Sequence, residues 1–263
     1  MTTAAAIVGV SPDGSAASPM PRIANDGLDA LRAELSLGEI MRLIERTARW
    51  VHPATFRLLP VWYPEHSRRG LFYKANWSEP QLNRNQQTGV AVHKHEGNNY
   101  ANRALTHALG MRGGDRPNWS CCHIWGVDDP TFASSNVVVQ DARFYSCVAN
   151  MVLLPTPLKA FTDVMPEVKQ MLRACAFYTY AWRCDHEALG ETDLEQQARD
   201  LAYPASWPRH AGDHVPPGTV RLTDAIARDA GRRLARIRHD LDHAGRFYPR
   251  EQVRAVLAYW RIT

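Results

Sequence analysis

The sequence predicts an α+β protein, and three observations carry that prediction. Trp119 to Trp125 reads as a strand, and the VVV and RFYSCVANMVLLP segments ending at Pro155 read as further strand. Residues 166–182 place Val168, Met171, Leu172, Cys175, Ala176, Thr179 and Trp182 on one helical face. Around this strand–strand–helix centre lie a helical, mixed region on the N-terminal side and a loop followed by basic helices on the C-terminal side.

The elements follow in order. Residues 1–25 are small, polar and rich in Pro, Gly and Ser, a composition expected to be disordered. A helix is expected over about 27–50. Ser36-Leu37-Gly38-Glu39 resembles a capping box, and Ile40, Leu43, Ile44, Thr47 and Val51 recur at helical spacing up to His52-Pro53. Residues 58–80 carry aromatics and prolines around Arg68-Arg69 and suit strands or loops. Residues 97–110 read as a short helix stopped by Gly110, and MRGGDRPN as a loop. After the strands, residues 156–162 suit a short helix, and Pro166 suits the first turn of the next one. Residues 186–218 are loop-rich. Two basic helices are expected at about 221–244 and 249–261. The expected organisation is a tail (1–25), a helical and mixed region (26–117), a central region (118–185) and a basic C-terminal region (186–263).

The chain of 263 residues is 45% hydrophobic and 22% charged, which is ordinary for a folded protein with a sizeable core. No apolar run reaches the roughly 18–20 residues that cross a bilayer. MTTAAAIVGVSPDGS is a poor signal peptide, so a cytoplasmic location is expected. The five cysteines (121, 122, 147, 175 and 184) contain no CxxC pair, which argues against paired zinc knuckles and against a disulfide framework. The net charge is +4, and residues 221–263 hold ten arginines against four aspartates and one glutamate. That segment suits a polyanion partner or a solvated helix face. Arg228, Arg232 and Arg236, spaced by four, form one stripe that can track a phosphate backbone. Asp224, Asp229 and Asp240 interleave with it.

The chemistry centres on His123 in the first strand, Asn150 in the second and Asp163 at the following helix. Two strands and a helix can clamp one divalent ion with a histidine beside it. Such a site suits phosphodiester hydrolysis: the histidine takes a proton from water, the metal stabilises charge, and an asparagine carboxamide fixes the histidine or its loop.

At these residues the sequence resembles the HNH, or His-Me finger (ββα-metal), nuclease family. CHIWG at 122–126 occupies the place of the family's first-strand element, and CVANMVLLPTPLKAFTD at 147–163 looks like its second strand and metal-binding helix. The resemblance spans 118–185. It implies a ββα-metal core in which His123 is the general base and Asn150 the central asparagine. Two positions depart from the pattern. The residue before the base is Cys122, where the family commonly has a metal-touching aspartate or histidine. The third signature position falls on Lys159, so Asp163 is the expected substitute ligand, sharing a helix face with Lys159. Asp128 and Asp129 can add a carboxylate from the intervening loop.

The resemblance thus implies a metal-dependent endonuclease of restriction or mobile-element type. It would act on double-stranded DNA, with Mg²⁺ as the expected ion and Mn²⁺ or Zn²⁺ as alternatives, and a homodimer would suit a twofold substrate. Expected metal contacts are Asp163 and Cys122; expected nucleic-acid contacts are Arg143, Lys159, Arg228, Arg232 and Arg236. Two other readings stay open. One is a non-catalytic nucleic-acid-binding protein on the same scaffold, and the other is a structural zinc module using Cys122, Cys147 and a histidine. Cys122 can equally be a core residue, like Cys121, Cys147, Cys175 and Cys184. His93 and His95 in HKHEGNN suit a polar surface loop better than a ligand pair.

Overall fold

The structure, a computed structural model, describes residues 26–127 and 133–263. The expected disordered tail and the carboxylates Asp128 and Asp129 lie outside the described residues. Ser36–Thr263 form one compact unit, and the described residues before Ser36 belong to another. In the latter, helix α1 (Gly27–Glu34) starts at Asp26, whose side chain accepts from the Leu28 and Asp29 amides.

The single helix expected over 27–50 is therefore two. Helix α2 (Leu37–Thr47) begins at Ser36, and its capping box is present: Ser36 Oγ accepts from Glu39 N–H while the Glu39 carboxylate accepts from Ser36 N–H. A reciprocal cap starts a new helix where apolar spacing alone suggests continuity. Strand β1 (Trp50–Val51) and helix α3 (Pro53–Leu58) follow, the latter with Pro53 in its first turn. Residues 59–80 are largely irregular. Strands β2 (Leu82–Arg84) and β3 (Ala91–His93) form an exposed antiparallel pair, and helix α4 (Asn99–Ala108) precedes Gly110, whose φ of 64° is left-handed.

Strand β4 (Trp119–His123) pairs antiparallel with β5 (Met151–Pro155), with Trp119 opposite Pro155 and His123 opposite Met151. Between them the expected strand over RFYSCVAN is instead helical. Val138–Gln140 and Val148–Asn150 are single 3₁₀ turns, and Ala142–Tyr145 is a short helix, α5. Asp141 caps α5 by accepting from the Arg143 amide, a local bond that competes with strand pairing. Met151 to Leu154 are all buried, as suits a strand covered on both faces.

Helix α6 (Thr156–Val164) leaves β5 at once and packs on both β4 and β5. Helix α7 (Pro166–Tyr180) buries the predicted face from Val168 to Thr179, and Ala181 ends it in the left-handed region. Tyr180 Oη donates to the Val51 carbonyl, tying α7 to β1. The remaining elements are α8 (Leu194–Arg199), β6 (Thr219–Val220, parallel to β1), α9 (Asp224–His243) and α10 (Arg250–Tyr259). Trp50, Trp62, Trp125 and Trp207 are among the largest fully buried side chains of the core. The described residues are thus mixed helix and strand, with small sheets among mainly helical elements. None of their helices is long and apolar enough to cross a membrane.

Candidate functional site

A cavity of about 270 Å³ opens at the end of β4. His123 and Cys122 line one side, Lys159 and Asp163 come from α6, Lys169 comes from α7, and Arg68 and Arg69 come from the irregular stretch after α3. Among the described residues of this lining there are four cations (Arg68, Arg69, Lys159, Lys169) and one carboxylate, Asp163, which is ion-paired to Lys159 one helical turn away. The electrostatic balance of the described lining favours an anion.

His123 is held by a bond that fixes its tautomer. Its Nε2 lies 2.9 Å from the Tyr145 carbonyl oxygen. A carbonyl only accepts, so Nε2 carries the hydrogen and Nδ1 is the bare acceptor. The imidazole also stacks on the Tyr145 ring, 5.8 Å between centroids. Burial lowers the His123 pKa to about 4. The Tyr145 carbonyl pulls it up, and Arg68, Lys169 and Lys159 push it further down. At neutral pH the ring is uncharged.

Asn150 does not line the cavity; it fixes the loops that shape it. It is fully buried. Its Oδ1 accepts from Trp125 N–H at 2.7 Å, its Nδ2 donates to the Phe144 carbonyl at 3.0 Å, and its own carbonyl accepts from Ile124 N–H at 2.9 Å. One carboxamide therefore clamps the backbone just after His123 to the backbone just before Tyr145. Arg173 of α7 adds a second staple, donating to the carbonyls of Ile124 (3.2 Å) and Gly126 (2.6 Å). Gly126 has a steric reason: a Cβ there would come within 2.3 Å of Asn136 Nδ2, and the Asn136 Oδ1 accepts from Val127 N–H.

Tyr145 is positioned in turn by Glu96. Its hydroxyl donates to Glu96 Oε1, which also accepts from Tyr100 N–H at 3.0 Å at the start of α4. Glu96 is buried, although it sits in the HKHEGNN stretch expected to be a surface loop. His93 and His95 of that stretch are exposed and outside the cavity lining.

The described donors do not by themselves fit the divalent ion that the sequence resemblance implies. Among the described residues no three His, Cys, Asp or Glu side chains gather as a ligand group. Asp163 is engaged by Lys159, and burial pushes the Cys122 thiol up to about 12, so it is protonated at neutral pH. Cys122 and Asp163 do line the same cavity as His123. Cys147 is buried with its thiol held above the ordinary range, as a core residue is.

The expected nucleic-acid contacts divide. Lys159 faces the cavity. Arg143 lies outside it, with Nε and Nη2 both on Asp141 Oδ2 and its guanidinium over the Phe144 and Tyr259 rings. On α9, Arg228 is exposed, Arg232 pairs with Asp229 at 2.9 Å, and Arg236 pairs with Asp240 at 2.9 Å.

Sequence reasoning missed Glu96, Tyr145, Lys169 and Arg173 as parts of this site. Arg68-Arg69 offered a local signal, a tandem cation in an aromatic stretch, but nothing in the sequence says that it returns to His123. No family model, curated protein or solved structure matches the chain.

Proposed function

We propose that the chain is an endonuclease that hydrolyses DNA phosphodiester bonds, with His123 as general base on a His-Me finger frame. One observation carries the reading. A neutral histidine, with Nε2 committed to a backbone carbonyl and Nδ1 bare, sits in a cavity whose described lining holds more cations than carboxylates. The antiparallel β4–β5 pair leading directly into α6, with His123 at the end of β4 and Asn150 just before β5, supports the frame.

In this reading the scissile phosphodiester binds among Arg68, Arg69 and Lys159. His123 Nδ1 takes a proton from water as the water oxygen bonds to phosphorus. The opposite P–O ester bond breaks, and the leaving oxygen takes a proton from solvent, giving a phosphate monoester and an alcohol. The cations stabilise charge on the non-bridging oxygens. A pKa of about 4 makes His123 a weak base at rest. The bound anion offsets the fields of Arg68, Lys159 and Lys169 and so raises its proton affinity. Asn150 and Tyr145 act by holding the loop and the ring.

The test is cleavage of supercoiled plasmid by the wild type and His123→Ala, each with Mg²⁺, Mn²⁺, Zn²⁺ or EDTA. The expected result is nicking or linearisation that His123→Ala abolishes while DNA binding persists. A variant that cuts at the wild-type rate overturns the assignment of His123. A second reading, a non-catalytic DNA-binding protein on the same frame, draws support from the Lys159–Asp163 pair, which occupies the cavity's described carboxylate. It expects salt-sensitive binding without cleavage in any of these conditions.

A further inference from the structure

A second, larger groove lies between α4 and α9, and its chemistry repeats that of the first. It has a volume of about 840 Å³. Arg103 and His107 of α4, Arg112 and Arg116 of the following loop, and Asp229 and Arg232 of α9 line it. Asp229 is already shared: one oxygen meets His107 Nδ1 and the other Arg232. Arg103, stacked over Tyr63 and Tyr100, and Arg112 and Arg116 meet no carboxylate in the described lining, and Arg232 meets Asp229 through Nη2 with its side chain 69% exposed.

The Arg116 guanidinium is oriented by its Nη2, which donates to the Asn102 carbonyl at 3.0 Å and to Asn102 Oδ1 at 3.1 Å. Its Nη1 is buried and has no acceptor among the described residues. A donor kept from water without an acceptor is costly, and a shift of the Arg116 side chain toward the groove would let an incoming oxyanion satisfy it. The two linings include neighbouring residues. Asn98, the residue before α4, lines the His123 cavity, and Asn99, the first residue of α4, lines the groove.

We infer that the α4–α9 groove is a second binding site for the phosphate backbone of the DNA whose scissile phosphate lies at His123. The inference rests on the nuclease reading for which strand is held, and on the groove's own residues for what is bound. Arg112 and Arg232 contact phosphates, while Arg116 is the oriented donor at the groove wall.

The test uses the full chain carrying His123→Ala, so that DNA is not consumed. Binding to a fluorescent duplex is followed by anisotropy over a salt series. Arg112→Gln and the double variant Arg112→Gln/Arg232→Gln are compared with Arg199→Gln, an exposed arginine of α8 outside both linings. The log–log salt slope should shrink by about 1 for the single variant and about 2 for the double, uniformly across duplex sequences. Arg199→Gln should leave it unchanged. Circular dichroism melting confirms that the variants are folded. An unchanged slope in the folded double variant overturns the inference. So does tight binding of a mononucleotide that displaces no duplex, which would make the groove a small-phosphate site. Failure of the nuclease reading appears elsewhere, as no plasmid cleavage or as full cleavage by His123→Ala, and leaves the slopes to decide the groove.

Discussion

The C-terminal helices and the His123 cavity are both rich in cations, and they use them in opposite ways. In the C-terminal segment protein acceptors meet many of the arginines. Arg233 is held by Glu65 and by the Trp62 carbonyl, Arg236 by Asp240, and Arg250 by the carbonyls of Leu241, Ala244 and Gly245. Arg233 and Arg250 fasten α9 and α10 to each other and to the residues after α3, while Arg236 pairs within α9. In the cavity, four cations from three separate stretches of chain converge on a lining whose described residues hold one carboxylate, Asp163, the partner of Lys159. Charge density along a sequence therefore measures something different from charge density in space. Arginine's five donors make it as good an internal strut as a phosphate contact, and only the location of its acceptors separates the two uses.

The largest effect should come from breaking a strut. Arg233→Ala leaves Glu65, which is 7% exposed, without its cation. Removing one partner of a buried pair costs about 3–5 kcal/mol, to be read as a drop in unfolding free energy in urea. The double substitution Arg233→Met/Glu65→Leu should recover most of it. A loss under about 1 kcal/mol would mean that this arginine is not structural, and the comparison would fail at its strongest point.

An effect of a few kcal/mol should appear with pH, and it reports on the cavity. The His123 pKa is about 4 in the folded state against an ordinary 6.5, and that of His66, buried against Tyr100 and near Arg233 and Arg103, is about 3. In both cases the unfolded chain takes up its proton first as pH falls. The stability linked to each group is fully present above about pH 6.5 and is lost as pH falls towards 4 for His123 and towards 3 for His66. For His123 the lowering from 6.5 to about 4 corresponds to about 3 kcal/mol. Urea unfolding at a series of pH values checks this, and His123→Gln should flatten the profile between pH 6.5 and 4 while leaving the His66 part. An unaltered profile would mean that the imidazole is not held neutral by its surroundings.

Legibility followed the range of the interactions. The Ser36 capping box, the stop at Gly110, a strand from Trp119 (expected to Trp125, ending at His123) and the α6–α7 succession are written in neighbouring residues, and they appear in the fold. The errors were local competitions that periodicity does not weigh: a cap that divides 27–50, and Asp141 turning RFYS into helix. His123 and Asp163 do come to one cavity, and Asn150 does organise the loop. The rest of the site depends on contacts across long stretches of chain. Arg68 and Arg69 reach the cavity from far upstream, and Glu96 reaches Tyr145 across 49 residues. No local pattern marks a glutamate destined for burial.

The smallest effect on stability, and the sharpest test of the contrast, belongs to Lys159. It pairs with Asp163 across one helical turn, both side chains about one-third exposed. Such pairs contribute about 0.5 kcal/mol or less. Lys159→Gln should therefore leave the unfolding midpoint nearly unchanged. It should nevertheless weaken DNA binding, because it removes one phosphate partner and leaves Asp163 as an uncompensated negative charge in the cavity. The log–log salt slope measured in the His123→Ala background should shrink by about 1. Arg236→Gln makes the matched comparison, because Arg236 also pairs at i,i+4, with Asp240 at 2.9 Å, but lines neither cavity. It should leave the slope alone. If instead Lys159→Gln lowered stability as Arg233→Ala does and left binding untouched, the cavity cations would be struts like those of α9, and the case for a phosphate at His123 would lose its electrostatic basis.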